Sequence, residues 1–425
     1  MIANKRELII DLFLLAISTT CCLLLTQREE ANILIAVLII LIGFWMCFKS
    51  RRNTYLSFLM VCLFLINTSI AINDIINHGV LTSSWQINGL RATEYPFIAA
   101  KCILLFISTL STFINGGVVD ECKMSRESIN RFRWSNGFIS MVGLIVLNAI
   151  LLYGTFSIGQ TFSAGSYTEI SSTVYEYSVV LFVMVFLFSN THKYIEIALL
   201  GYSVLFVSIF CIFGDRSSAF MYILAVLCLY FPQKLTVVKS LCFGLGGIVF
   251  SNIISAFRSL GSDLSVTNVL LAIVQKGLYQ DTVSWAFYGG LTVMALRVYA
   301  NQPIKFFYGF VLSVLGFSSK YSDPVSYARD NFSALYNAGG GIFPLFWYSW
   351  FGMVGVVLGA SILGIILHVF FSPCSQTKYK FNISCMIILF SLRWYIYSPL
   401  NLFRSAIFLP SVLYGLFCLT AKRTF

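Results

Sequence analysis

The chain has 425 residues, of which 58% are hydrophobic and 11% charged, with a mean hydropathy of +0.84. It is too apolar for a soluble protein, so lipid must be its solvent, and the expected fold class is an all-α polytopic membrane protein. A net charge of +11 would suit nucleic acid, but the basic residues gather in short turns on one side, which sets orientation and implies no nucleic-acid partner.

A spanning helix needs about 20 mostly apolar residues. Such runs occur from Leu8 to Thr26, Asn32 to Phe48, Thr54 to Asn73, Phe97 to Gly116, Trp134 to Phe156, Tyr177 to Asn190, Ile197 to Gly214, Ser218 to Phe231 and Leu241 to Ala256. Three more follow a long interruption, from Ile342 to Phe371, Phe381 to Tyr397 and Ser405 to Leu419, which makes twelve spans with both termini on one side. Lys5 and Arg6 before the first run look like a signal peptide. No small-residue cleavage site follows, so this run is read as a retained helix.

Lys49, Arg51 and Arg52; Lys123, Arg126, Arg131 and Arg133; Lys193; Lys234 and Lys239; Lys378 and Lys380; and Lys422 and Arg423 all fall in turns on the side of the N-terminus. That side is therefore cytoplasmic, and the interruption faces outward. The expected organisation is nine membrane helices in 1–256, a large periplasmic loop containing short helices in 257–341, and three membrane helices in 342–425. A structureless loop of that length is uncommon unless it is functional. Within it, Thr282 to Tyr299 is apolar enough to dip into the bilayer, and Phe306 to Phe317 is too short to cross. These stretches read as helices lying partly in the interface, with Lys276, Arg297 and Lys305 at their polar edges. Two further spans there would leave every other orientation unchanged.

The twelve cysteines avoid the loop and form no disulfide framework or metal knuckle. His78, His192 and His368 are the only histidines, no Asp-x-Asp occurs, and no P-loop is present, so neither a metal nor a cofactor is expected.

Charges at a membrane edge are costly and usually functional. Gly214-Asp215-Arg216-Ser217-Ser218 forms a tight turn before a helix, where Ser217 or Ser218 can cap free N–H groups beside the Arg216 guanidinium. That suits a phosphate group. It also suits a helix end whose charged pair merely snorkels to water. Arg258 follows the ninth span and Arg404 opens the last, so three guanidiniums share one membrane face. Each alone also reads as an interfacial anchor. Gly339-Gly340-Gly341 before Pro344 permits close approach of a ligand to the backbone, or a plain hinge. Trp285, Tyr299, Tyr321, Tyr327, Tyr336, Trp347 and Trp350 offer faces for sugar rings, although interfacial belts use the same residues.

The Gly214-x-Arg216 turn, the glycine run leading into an aromatic helix with Phe351-Gly352 and Gly355, the large outward loop before three final spans, and Arg404 together resemble the O-antigen polymerases. The resemblance covers the second half of the chain best. Relatives often carry an acidic residue where this chain has Trp347, Tyr348 and Trp350. The resemblance implies a metal-independent glycosyltransferase of the bacterial inner membrane with its active site facing the periplasm. It would transfer the growing glycan from undecaprenyl diphosphate to the terminal sugar of a new lipid-linked repeat unit. Arg216, Arg258 and Arg404 would stabilise the leaving diphosphate. Among the loop carboxylates Asp281, Asp323 and Asp330, Asp281 leads as acceptor base, while surface solvation is the plainer reading of each. Asp215, Ser217, Arg329, Gly339, Gly340, Gly341 and Trp347 would contact substrate. The implied partners are undecaprenyl-diphosphate-linked repeat units and membrane lipid, with a chain-length regulator as a further candidate. An O-antigen ligase shares the layout, but its relatives carry a histidine in the outer loop, and a lipid-linked oligosaccharide flippase needs no such loop.

Overall fold

The computed structural model describes residues 2–82, 89–114, 124–159, 172–189, 192–212, 216–260, 266–332, 340–372 and 377–422. Every named element among them is helical. In chain order these are α1 (Ile2–Leu24), α2 (Glu29–Ser50), α3 (Thr54–Ser69) with a π-helical extension over Ile70–Ile76, α4 (Tyr95–Phe113), α5 (Arg126–Phe132), α6 (Gly137–Gly159), α7 (Ser172–Phe188), α8 (Lys193–Ile212), α9 (Arg216–Tyr230), α10 (Val237–Leu260), α11 (Val266–Lys276), α12 (Asp281–Tyr299), α13 (Pro303–Val314), α14 (Pro324–Asn331), α15 (Phe343–Phe371), α16 (Lys378–Leu389), α17 (Ser391–Ile396), a second π-helical segment (Asn401–Phe408) and α18 (Leu409–Lys422).

Eight stretches of the described residues are long and apolar enough to cross a membrane: Lys5–Leu24, Glu29–Ser50, Thr54–Ile76, Tyr95–Phe113, Lys193–Cys211, Val237–Ile254, Phe343–Phe371 and Asn401–Leu419. Shorter apolar helices occupy Gly137–Tyr153, Tyr177–Phe188 and Ser217–Tyr230, where the sequence also places spans. The expected eleventh span is broken near Phe390 into α16 and α17.

Two of the basic residues assigned above to turns, Lys49 and Arg133, are buried in ion pairs. Lys49 Nζ lies 2.6 Å from Asp11 Oδ2, with both side chains fully buried. Asp11 Oδ1 also accepts from Trp45 Nε1 at 2.9 Å and Ser111 Oγ at 3.2 Å, and Lys49 donates to the Ser111 carbonyl at 2.7 Å. At the other end of α1, Lys101 Nζ caps the Leu25 carbonyl at 2.7 Å. Only 11% of the α1 span is buried, so these polar ties do much of the work of seating it. Arg133 Nη1 pairs with Glu196 Oε1 at 2.6 Å, and Arg126 Nη2 reaches Glu196 Oε2 at 2.9 Å.

The described residues of 257–341 form helices, and one of them, α12, is built into the bundle. The sequence places Thr282 to Tyr299 partly in the interface, whereas α12 is buried from Val283 to Leu296 except at the half-buried Trp285. The difference is physical: its apolar side chains meet protein on all sides, so hydropathy alone cannot tell burial in protein from burial in lipid. Arg297, expected at a polar edge, instead donates to the carbonyls of Tyr348 at 3.3 Å and Ser349 at 3.4 Å.

Those carbonyls are available because α15 bends at Gly352, whose φ of 66° and ψ of −151° belong to glycine. The bend brings the Trp347 carbonyl against Gly355 and the Trp347 ring across Gly359. The 29 residues of α15 are thus two helical pieces lying together, not one straight span.

Candidate functional site

A cavity of about 440 Å³ runs between α3, α9, α10, the start of α12 and α17, within the usual size range of ligand sites. Its length follows from α10, where Ser240 and Ser251 both line it, a separation of about 16 Å along a helix. The walls are apolar, with Phe58, Leu65, Phe220, Leu227 and Phe243 among them. Space exists because α10 carries Gly244, Gly246 and Gly247: a Cβ on Gly246 would meet no heavy atom within 4 Å, while Gly244 lies against Leu65.

Apart from Ser240 near the other end, the polar groups collect at one end. Ser217 from the first turn of α9, Ser251 from α10, and Gln280, Asp281 and Thr282 from the start of α12 all line it there, with Tyr397 after α17. The α11–α12 turn that carries this rim is held by Asn252 Nδ2 to the Gly277 carbonyl at 3.2 Å and by Ser69 Oγ to the Leu278 carbonyl at 3.0 Å. Tyr279 OH meets Thr82 Oγ1 at 3.0 Å; burial pushes its phenol up to about 12, with the Thr82 hydrogen bond pulling the other way. It therefore stays neutral at physiological pH.

Behind the rim lies a residue that sequence reading passed over. Asp74, in the π-helical extension of α3, is 2% exposed; its Oδ2 accepts from Ser284 Oγ at 3.0 Å, and its Oδ1 has no hydrogen-bond partner among the described residues. An acidic residue within an apolar run was the available signal. Arg91 binds the Gly79 carbonyl, the Thr82 carbonyl at 2.5 Å and Tyr288 OH at 3.3 Å, so the chain after α3 is tied to α12.

Of the expected site residues, Ser217 and Asp281 come together at the polar end of the cavity despite their separation in sequence. Asp281 Oδ1 accepts from Thr282 N, the next amide of its own helix, at 2.8 Å. The backbone sets Arg216 as the first residue of α9, next to Ser217, and Arg258 about two turns beyond Ser251 on α10. The side chains of Arg216, Arg258 and Arg329 lie outside the described residues, as do Gly214, Asp215, Tyr336 and Gly339. Arg404 sits in the second π-helical segment and does not line the cavity.

Gly340 and Gly341 pack against protein: Gly341 N donates to the Tyr397 carbonyl at 3.0 Å, and a Cβ on Gly340 would lie 2.9 Å from the Ile396 carbonyl. Trp347 is 4% exposed, with its ring 5.3 Å from that of Trp350. Asp323 caps α14 through Val325 N at 3.0 Å, and Asp330 is exposed. Among the described residues no group of His, Cys, Asp and Glu could hold a metal.

Comparison with known proteins adds no relative. No protein-family model, curated protein or solved structure matches the chain.

Proposed function

We propose that this protein is an O-antigen polymerase, a glycosyltransferase of the bacterial inner membrane that extends lipid-linked glycan at the periplasmic face. In this reading the chain crosses the membrane twelve times and turns the helices of 257–341 outward, as the basic turns require. The observation that supports it best is the cavity, apolar along most of its length and polar at the end lined by Ser217 and Asp281. A prenyl diphosphate has that same division between tail and head.

The apolar walls take the carrier tail, and the head lies at the polar end beside the start of α9, whose free N–H groups favour an anion. Arg216, next in the chain to Ser217, and Arg258, about two turns beyond Ser251 on α10, neutralise the diphosphate as it leaves. The terminal sugar hydroxyl of the incoming repeat attacks the anomeric carbon of the donor, whose bond to the diphosphate oxygen breaks. Asp281 takes the hydroxyl proton. Arg404, which does not line the cavity, has no part in this scheme.

The test is the lipopolysaccharide of a strain lacking this chain, resolved on a gel. A single repeat on the lipid core is expected, and complementation should restore the ladder. A complete loss of O-antigen would indicate a ligase or a flippase instead, and an unchanged ladder would overturn the reading.

A further inference from the structure

The cavity is closed at its apolar end and open along one side. Phe58 from the second turn of α3, Leu227 from the last turn of α9 and Ser240 from the first turn of α10 line the apolar end, and all three are buried. Tyr55 OH donates to the Cys228 carbonyl at 2.8 Å, which fastens the start of α3 to the end of α9 there. The side wall is different. Only 17% of the α10 span is buried, and Phe243 and Phe250 line the cavity while being 45% and 39% exposed. Between them Gly246 also lines the cavity, is exposed, and has no heavy atom within 4 Å of where a Cβ would stand. Its neighbours are filled, since a Cβ on Gly247 would lie 3.3 Å from the Phe220 ring and Gly244 lies against Leu65. The gap in the wall is therefore at Gly246, on the face that α10 turns to the surroundings, which for a spanning helix is lipid.

Volume decides how much of a long chain fits. A cavity of about 150 Å³ holds one benzene molecule, so at that density the 440 Å³ here takes about eighteen carbon atoms, or about three to four isoprene units. By the same measure this is roughly a third of an undecaprenyl chain. The closed apolar end leaves the remainder no room inside the protein, and the side gap is the way out.

We propose that the cavity binds only the isoprene units nearest the diphosphate, and that the rest of the carrier leaves through the opening at Gly246 into the bilayer. This rests on the prenyl diphosphate reading of the cavity. It adds which part of the carrier the protein reads and where the chain crosses the protein surface. Units beyond the opening stay in lipid, which is as apolar as the wall, so they add little to affinity. Selectivity for the carrier lies in its first units, against Leu65, Phe220 and the glycines of α10.

The experiment photolabels the purified full-length protein in detergent with two undecaprenyl diphosphate analogues. One carries a diazirine in the second isoprene unit from the diphosphate, the other in the fifth, and mass spectrometry locates the labelled residues. The second-unit probe should label the inner wall at Leu65 or Phe220. The fifth-unit probe should label Cys242 or Val249, which are exposed, lie one helical turn to either side of Gly246 and do not line the cavity. Geranylgeranyl diphosphate should suppress the inner label as well as undecaprenyl diphosphate does, and phosphatidylglycerol should not suppress it. Fifth-unit label on Phe58 or Leu227 would overturn the proposal by showing the tail folded inside. Fifth-unit label confined to helices other than α10, or absent, would overturn the exit. An advantage of more than about tenfold for undecaprenyl over geranylgeranyl diphosphate would show that the distal units are bound, and would overturn it too. In each of these cases an inner label competed by undecaprenyl diphosphate still supports the prenyl reading of the cavity. An inner label that undecaprenyl diphosphate does not suppress, or that phosphatidylglycerol suppresses equally, would overturn that reading and the exit together.

Discussion

Replacing Asp11 by leucine strands the Lys49 ammonium at a place where both side chains are fully buried and their atoms are 2.6 Å apart. Breaking a buried pair from one side costs about 3–5 kcal/mol. The loss of acceptors for Trp45 Nε1 and Ser111 Oγ adds to it. Lys49→Met should fall at the lower end of that range, because Trp45 and Ser111 continue to solvate the Asp11 carboxylate. Combining Asp11→Leu with Lys49→Met strands no charge and leaves chiefly the Trp45 indole unpaired, about 1–3 kcal/mol. The double variant is therefore expected to be more stable than Asp11→Leu alone. Urea unfolding of the detergent-purified protein, followed by tryptophan fluorescence, measures all three. Additive losses in the double variant would refute the pairing argument. A loss below about 1 kcal/mol for Asp11→Leu would show that Lys49 reaches water and would refute the burial argument.

Gly246→Leu should fold, since a Cβ there meets no atom within 4 Å, but should fill the cavity and abolish polymer extension; a normal ladder would separate the cavity from activity. Cysteine placed at Ser318, which is exposed, should react with an impermeant thiol reagent in cells with intact inner membranes, and reaction only after lysis would reverse the orientation. Purified protein given lipid-linked repeats should elongate them in excess chelator, and activity that needed added magnesium would rule out the metal-free scheme. Arg216→Lys should shorten the polymer nearly as much as Arg216→Ala if the group binds diphosphate as a fork, while full function of the lysine variant would mark it as an anchor.

The helical class and the positions of most apolar runs were legible because about 20 apolar residues in a row have few other uses. Burial was not legible. The sequence of α12 looks like a half-wet interfacial helix, yet the structure encloses it, because its partners come from α3, α4 and α15. The turn-charge pattern likewise used Lys49 and Arg133 only for orientation and gave no sign of their ion pairs, since their acids Asp11 and Glu196 are remote in sequence. Within the site, Ser217 was legible as a cap at a helix start and Asp281 only as one of three loop carboxylates; that both line one cavity was not legible. Tyr397 was not legible either, because the break after α17 that brings it to the cavity follows from packing, and the Gly-x-Gly-Gly pattern from Gly244 reads as a cavity only when Leu65 and Phe220 are known to face it.

The bend at Gly352 constrains the order in which the chain can be assembled. Arg297 is synthesised before the Tyr348 and Ser349 carbonyls that receive it, and an arginine without acceptors is excluded from hydrocarbon. The C-terminal end of α12 must therefore wait in water or among lipid headgroups until α15 has emerged and turned. A nascent chain arrested shortly after residue 341 should leave that end open to protease, and one arrested beyond 372 should protect it, so the last third of the polypeptide acts as the template on which the middle third is seated.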